Sequence, residues 1–162
     1  MKTMQDWFDE YGESHQNPTN KLIHWICVPV IFLTVVGLLS AIPSTFIQHL
    51  LPAALAPYGH FGTLVLILGL LFYLRISFPM FLGMVGVSLF MLVANYQLQQ
   101  ATAGILPYWA VCLIIFALAW VGQFVGHNIE GKKPSFLKDM QFLLIGPAWL
   151  LGFIYRQAGL KY

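Results

Sequence analysis

Long apolar stretches separated by short polar connections dominate the chain. A helix needs about 20 apolar residues to cross the roughly 30 Å hydrocarbon core of a bilayer. Four stretches reach or approach that length, over 22–42, 61–77, 80–98 and 108–125. Pro43 ends the first stretch, and Pro79 separates the second from the third. The pattern predicts four transmembrane helices.

Two shorter segments flank these four stretches. Before the first, apolar and aromatic residues recur at helical spacing between acidic ones: Met4, Trp7, Phe8 and Tyr11. This pattern predicts an amphipathic helix at the membrane interface that caps the bundle. After the fourth, the apolar segment 140–155 carries Gly146-Pro147 at its middle, which predicts a broken, re-entrant or interfacial helix. The expected fold is an all-α polytopic membrane helix bundle, formed as one integral membrane domain over residues 1–162.

Composition gives the same result. The chain is 59% apolar and 9% charged, whereas a soluble domain is about half apolar and about a quarter charged. A soluble fold with so few charges cannot cover its surface, so lipid is the expected solvent. A net charge of +2 with no basic run argues against a nucleic-acid partner. Cys27 and Cys112 lie inside apolar stretches, without CxxC spacing, and are interpreted as small core residues.

Lys and Arg positions predict the orientation in the membrane. The connections 43–60 and 99–107 contain neither residue type. The eight basic residues fall at the other ends of the stretches: Lys2, Lys21, Arg75, Lys132, Lys133, Lys138, Arg156 and Lys161. The positive-inside rule places Lys and Arg on the cytoplasmic side of a membrane. Four crossings with both termini cytoplasmic put all eight basic residues on that side, whereas a fifth crossing would put the last two on the other side. The expected location is a bacterial inner membrane, or the endoplasmic reticulum of a eukaryote, with a first span that is not a cleaved signal.

This topology places His15, His24 and His127 on the cytoplasmic side, and leaves His49 and His60 on the other. Neutral imidazole is a common ligand for iron and zinc. On a helix, Glu130 lies three residues after His127 and shares its face. Asn20 lies four residues before His24, which allows it to ligate a metal or to orient a ligand.

Simpler interpretations remain open for these residues. A single histidine at a membrane interface is usually hydrogen-bonded or faces the lipid headgroups. The segment 17–20, Asn-Pro-Thr-Asn, is typical of a turn that caps the first helix. Glu130 has Lys132 and Lys133 nearby as surface ion-pair partners. Spacing alone therefore leaves the three-histidine metal site as one of several possibilities.

Two polar motifs resemble those of a known membrane family. They are Tyr11-x3-His15-x4-Asn20-x3-His24-x4-Pro29 and Trp120-x2-Gln123-Phe124-x-Gly126-His127-x2-Glu130-x3-Pro134. In order and spacing, the chain resembles the membrane-bound 2-hydroxy fatty acid dioxygenases of fatty-acid alpha-oxidation over nearly its whole length. The resemblance implies an iron-dependent enzyme that uses O2 to shorten a 2-hydroxy fatty acid by one carbon.

The resemblance also implies roles for individual residues. His15, His24 and His127 match the family's motif histidines and are expected to hold one Fe(II). Asn20 and Glu130 match its motif Asn and Glu, as a fourth ligand or as orienting residues. Lys21 and Lys132 are candidates for offsetting the charge of the substrate carboxylate, with the acyl chain between apolar helices.

The chain departs from the family pattern at Ser135-Phe136-Leu137 and at Arg156-Gln157. These differences leave the histidines unchanged and bear on substrate and chain-length preference. The alternative function is a non-catalytic membrane protein that binds or transports lipid.

Overall fold

Helices make up all the regular secondary structure in the described part of the chain, residues 2–131 and 142–162 of a computed structural model. Seven α-helices follow one another there: α1 Met4–Gly12, α2 Pro18–Ser40, α3 Thr45–Gln48, α4 Phe61–Ile76, α5 Phe78–Ala101, α6 Tyr108–Glu130 and α7 Ile145–Gln157. A short 3-10 helix, Ala56–Tyr58, lies between α3 and α4. The predicted all-α class is confirmed for these residues.

Among the residues that the structure describes, three helices are long and apolar enough to cross a membrane. They are α2, α5 and α6, with 23, 24 and 23 residues and mean hydropathies of 2.4, 1.8 and 2.0. Helix α4 is apolar but has 16 residues. The helices α2 and α6 extend beyond the predicted stretches, because the polar segments beside them are helical too. His24 and His127 therefore lie on long helices rather than in loops.

The first turn of α2 is capped by its own sequence. The Asn17 side-chain oxygen accepts hydrogen bonds from the backbone N–H groups of Thr19 (2.9 Å) and Asn20 (3.4 Å). Pro18 occupies the first helical position, where the missing N–H costs no hydrogen bond. The predicted helix cap is thus confirmed. At the same end of the bundle, α6 stops at Gly131, which adopts the left-handed conformation that favours glycine (φ 71°).

Helices α2 and α6 pack closely and run antiparallel. A Cβ atom added to Gly122 of α6 would lie 2.6 Å from Cys27 Sγ, and one added to Gly126 would overlap the Asn20 amide oxygen. Farther along, a Cβ on Gly37 of α2 would lie 2.6 Å from Cys112 Sγ. Gly122 and Gly126 form a GxxxG pattern, which allows two membrane helices to approach each other closely.

Helix α1 packs across the end of the bundle where α2 begins. Its apolar face is buried through Met4, Phe8 and Tyr11, in a core shared with α5 and α7. Its polar face begins with a capping box between Thr3 and Asp6, whose hydrogen bonds lower the pKa of the Asp6 carboxyl. The predicted amphipathic helix is confirmed.

Helix α7 differs from the prediction for segment 140–155. It begins at Ile145, so Pro147 lies in its first turn, where a proline interrupts no hydrogen bond. The expectation that Gly146-Pro147 breaks the middle of this helix was wrong, while residues 140 and 141 lie outside the described part. With 13 residues the helix is about 20 Å long, shorter than a bilayer core. The Tyr155 hydroxyl ties it to α5 by donating to the Pro79 carbonyl (2.8 Å).

The packing at Gly126 gives a first prediction. Inside a helix, alanine is more stable than glycine by about 1 kcal/mol. Gly86→Ala should therefore be neutral or stabilising, because nothing lies within 4 Å of the added Cβ. Gly126→Ala should lower the free energy of unfolding by about 1–3 kcal/mol, because the added methyl overlaps Asn20. Thermal unfolding of both variants in the same detergent measures the difference. Equal stabilisation by the two substitutions would contradict the close α2–α6 contact.

Candidate metal centre

His15, His24 and His127 converge at the end of the bundle. One ring nitrogen from each lies within 4.8 Å of the other two. The ring centroids of His15 and His24 are 4.2 Å apart, and His127 lies 5.4 Å from the first and 5.1 Å from the second. All three side chains are buried, with at most 3% of their surface exposed. Residues separated by more than a hundred positions therefore form one compact group of potential metal ligands.

Each histidine is placed by a different helix. His15 follows the end of α1, and its backbone N–H donates to the Gly12 carbonyl (3.0 Å). His24 lies in the second turn of α2, and His127 lies in the last turn of α6. His24 and His127 lie close together because α2 and α6 are antiparallel. The short link between α1 and α2 places His15 beside them.

Backbone carbonyls fix the tautomers of two of these imidazoles. His15 Nδ1 lies 2.6 Å from the Tyr11 carbonyl oxygen, and His24 Nδ1 lies 2.9 Å from the Asn20 carbonyl oxygen. Because a carbonyl only accepts hydrogen bonds, each Nδ1 carries the hydrogen and each Nε2 keeps its lone pair. Metal-binding histidines are typically oriented by this kind of hydrogen bond.

The Glu130 carboxylate joins the end of α6 to the start of α2. One oxygen accepts a hydrogen bond from the Gln16 N–H (2.8 Å), and the other accepts from the Asn17 N–H (2.9 Å) and the Asn20 Nδ2 (3.0 Å). Among the described residues, the group of ligand atoms within 4.8 Å contains the three histidines and not Glu130. These contacts of Glu130 are with the α1–α2 link and the start of α2.

Asn20 lies at the centre of this joint and is fully buried. Its Nδ2 donates to the Ser14 carbonyl (3.2 Å) as well as to Glu130. Its Oδ1 packs on the backbone of Gly126 and has no hydrogen-bond partner in the part of the chain that the structure describes. Asn20 therefore holds the α1–α2 link, the start of α2 and the end of α6 in one arrangement.

Two aromatic side chains pack against His15. The Tyr11 ring stacks on it at 4.2 Å with an interplanar angle of 15°, and the Trp149 ring lies 5.5 Å away. Trp149 is buried in α7 and was not identified as a site residue from the sequence. Nothing in the spacing links it to the histidines, because its position depends on how α7 folds back over α1.

A polar cavity of about 260 Å³ reaches His15 from the outer side of α1. The cationic side chains of Lys21 and Arg156 line it, together with Asp9 and Glu13. Lys21, predicted to contact substrate, therefore lies beside a histidine of the cluster. The other predicted lysine, Lys132, lies outside the described residues. Arg156, in the last turn of α7, was not among the predicted site residues.

An apolar cleft, with a cavity volume of about 110 Å³, lies on the inner side of Tyr11. It runs between α2 and α6, below the first turn of α7. Gln123, one turn before His127 and part of the second polar motif, lines it among mainly apolar side chains. The histidine cluster thus lies between a polar cavity and an apolar cleft.

The donor set fits a transition metal. Three neutral imidazoles suit iron, zinc, copper or nickel rather than magnesium or calcium, which prefer oxygen ligands. Two of the rings are already held in the tautomer that leaves Nε2 available to a metal, and one nitrogen of each ring lies within 4.8 Å of the other two. The site therefore has the chemistry of a metal centre.

Comparison with known proteins identifies the family. No curated protein and no solved structure matches the chain. The family model described as "2-hydroxy-palmitic acid dioxygenase Mpo1-like" matches residues 1–158, which include all three histidines, Asn20 and Glu130. This agrees with the resemblance carried by the two polar motifs. Since the match covers almost the whole chain, the protein belongs to the Mpo1-like family.

Proposed function

We propose that this protein is an iron-dependent dioxygenase that shortens 2-hydroxy fatty acids by one carbon. The observation that supports this most strongly is the buried cluster of three histidines, two with their Nδ1 atoms held by backbone carbonyls, in a chain of this family. His15, His24 and His127 would hold Fe(II). The bound iron would supply the one-electron chemistry that a reaction with O2 requires.

The chain itself contributes position and environment. Burial of the three rings excludes water from the site, and backbone carbonyls hold His15 and His24 with each Nε2 lone pair available. Glu130 and Asn20 act as positioning residues, since their hydrogen bonds join the helix ends that carry the histidines. Lys21 and Arg156 are the cationic residues that line the polar cavity beside His15, together with Asp9 and Glu13, and would pair with the substrate carboxylate.

We infer that the membrane domain has four crossings. Helices α2 and α6 run antiparallel, so an even number of crossings must lie between them. Because α5 is long enough to cross, α4 must cross as well. Its 16 residues span about 24 Å, a shortfall that local bilayer thinning accommodates. The basic residues near the histidine end support a cytoplasmic site and cytoplasmic termini.

Removing one histidine tests the metal site. Protein loaded anaerobically with Fe(II) should carry about one iron per chain, and His24→Ala should lose most of it together with turnover. The control is His49→Ala, because His49 is exposed and lies in the connection at the other end of α2. Elemental analysis gives the iron content, and product analysis follows conversion of 2-hydroxypalmitate to pentadecanoate under O2.

Two results would contradict the proposal. Iron content and turnover unchanged by His24→Ala would exclude the histidine site. Wild-type protein that binds the hydroxy acid without converting it, with iron present, would favour the lipid-binding alternative.

Replacing Glu130 distinguishes a positioning residue from a ligand. Glu130→Gln keeps the shape but weakens the acceptors for the Gln16 and Asn17 N–H groups, so Fe(II) affinity should fall about 10–100-fold. Glu10→Gln, which removes only an exposed ion pair with Lys2, should leave the affinity unchanged. Anaerobic Fe(II) titration measures both. A loss as complete as that of His24→Ala would mean that Glu130 is itself a ligand.

Labelling of single cysteines tests the crossings. Leu50→Cys, in the connection before α4, and Gln100→Cys, in the last turn of α5, should both react with a membrane-impermeant maleimide on intact cells. Gln157→Cys, at the end of α7, should react only after permeabilisation. If Leu50→Cys and Gln100→Cys react from opposite sides, then α4 does not cross the membrane.

A further inference from the structure

The apolar cleft begins beside the histidine cluster and follows two helices away from it. At the near end lie Tyr11, whose ring stacks on His15, and Gln123, one turn from His127. At the far end lie Val35 of α2 and Phe116 of α6. The near end of the cleft therefore lies beside residues that neighbour the histidine cluster, and the cleft extends along the apolar part of the bundle.

Its length can be measured along either helix. Val35 follows His24 by 11 residues, and Phe116 precedes His127 by the same number. At 1.5 Å of rise per residue, both helices place the far end about 16 Å from the histidines. An extended chain advances about 3.3–3.6 Å for every three bonds. A distance of about 16 Å therefore corresponds to an extended acyl chain of about 13 or 14 bonds.

A close contact between α2 and α6 follows the far end of the cleft. One turn beyond Phe116, Cys112 packs against Gly37 of α2, where an added Cβ would lie 2.6 Å from its sulfur and 2.5 Å from the Asn95 amide oxygen. The residues that line the cleft end just before this contact. Val35 and Phe116 thus line the last open turn.

The polarity of the lining changes along the cleft. Gln123 and the Tyr11 hydroxyl provide polar groups near the histidines, whereas Val28, Ile31 and the two far-end residues are apolar. A ligand that matches this surface has one polar end and one long, unbranched apolar tail.

We propose that this cleft holds the acyl chain of the substrate, and that Val35 and Phe116 set the chain length it accepts. This inference rests on the proposed function, because it places the 2-hydroxycarboxylate end at the histidine cluster. It adds the binding site for the tail and the residues that select its length. The distance of about 13 or 14 bonds fits a substrate of about 16 carbons when its first two carbons lie at the metal site.

Two opposite substitutions test the length selection. Val35→Phe fills the far end of the cleft. The ratio of kcat/KM for 2-hydroxystearate to kcat/KM for 2-hydroxylaurate should then fall about tenfold, because each methylene excluded from apolar burial costs about fourfold. Phe116→Ala opens the same end and should shift the preference towards longer chains. Leu118→Phe, on the exposed face of α6, is the matched control and should leave the ratio unchanged.

A measurement independent of turnover locates the chain directly. A 2-hydroxy fatty acid with a diazirine at its terminal carbon should label α2 near Val35 and α6 near Phe116 in nanodiscs. A diazirine near the carboxyl end should label near Tyr11 and Gln123. Excess 2-hydroxypalmitate should suppress both adducts, and excess phosphatidylcholine should not. Adducts identified by peptide mass spectrometry give the positions.

The outcomes separate this inference from the proposed function. Labelling at the predicted positions with no turnover of any hydroxy acid would support the acyl-chain site and remove the catalytic proposal. Turnover with an unchanged chain-length ratio in Val35→Phe and adducts elsewhere would overturn the acyl-chain site while catalysis stands. Labelling suppressed equally well by phosphatidylcholine would identify the occupant as a membrane lipid and also overturn the inference.

Discussion

The contact between Gly126 of α6 and Asn20 of α2 is the constraint on which the rest of the site depends. Because position 126 has no side chain, the Asn20 amide reaches the α6 backbone and at the same time hydrogen-bonds Glu130 and the Ser14 carbonyl. This joint fixes the end of α6 against the start of α2, and with it the distance between His127 and His24. A larger residue at 126 would separate the helices that carry two of the three imidazoles.

The site combines a water-facing and a lipid-facing environment at one point. Charged side chains of both signs line the polar cavity, while the cleft beyond Tyr11 is mainly apolar, with Gln123 and the Tyr11 hydroxyl near its start. A fatty acid has the same division between a charged head and an apolar tail. A site at the end of the bundle therefore lets the head remain hydrated while the tail stays in a medium like the bilayer.

The sequence predicted the elements whose patterns are local. Apolar length identified the long helices, Asn17-Pro18 identified the cap of α2, and the two motifs identified the histidines, Asn20 and Glu130. The positions of Trp149 and Arg156 were not predictable in this way, because they depend on how α7 packs over α1. The prediction put Gly146-Pro147 at the middle of the last helix, whereas α7 begins just before these residues. The local sequence does not distinguish a proline in the first turn of a helix from a proline that breaks one. The structural use of Gly122 and Gly126 was also missed, because close helix contact depends on which face meets α2.

The most direct measurement of the central claim is an anomalous difference map at the iron absorption edge, from crystals of protein loaded with Fe(II) under anaerobic conditions. A single peak is expected among the rings of His15, His24 and His127, at about 2 Å from one nitrogen of each. A peak coordinated by other residues, or no peak in protein that turns over the hydroxy acid, would contradict the three-histidine iron site.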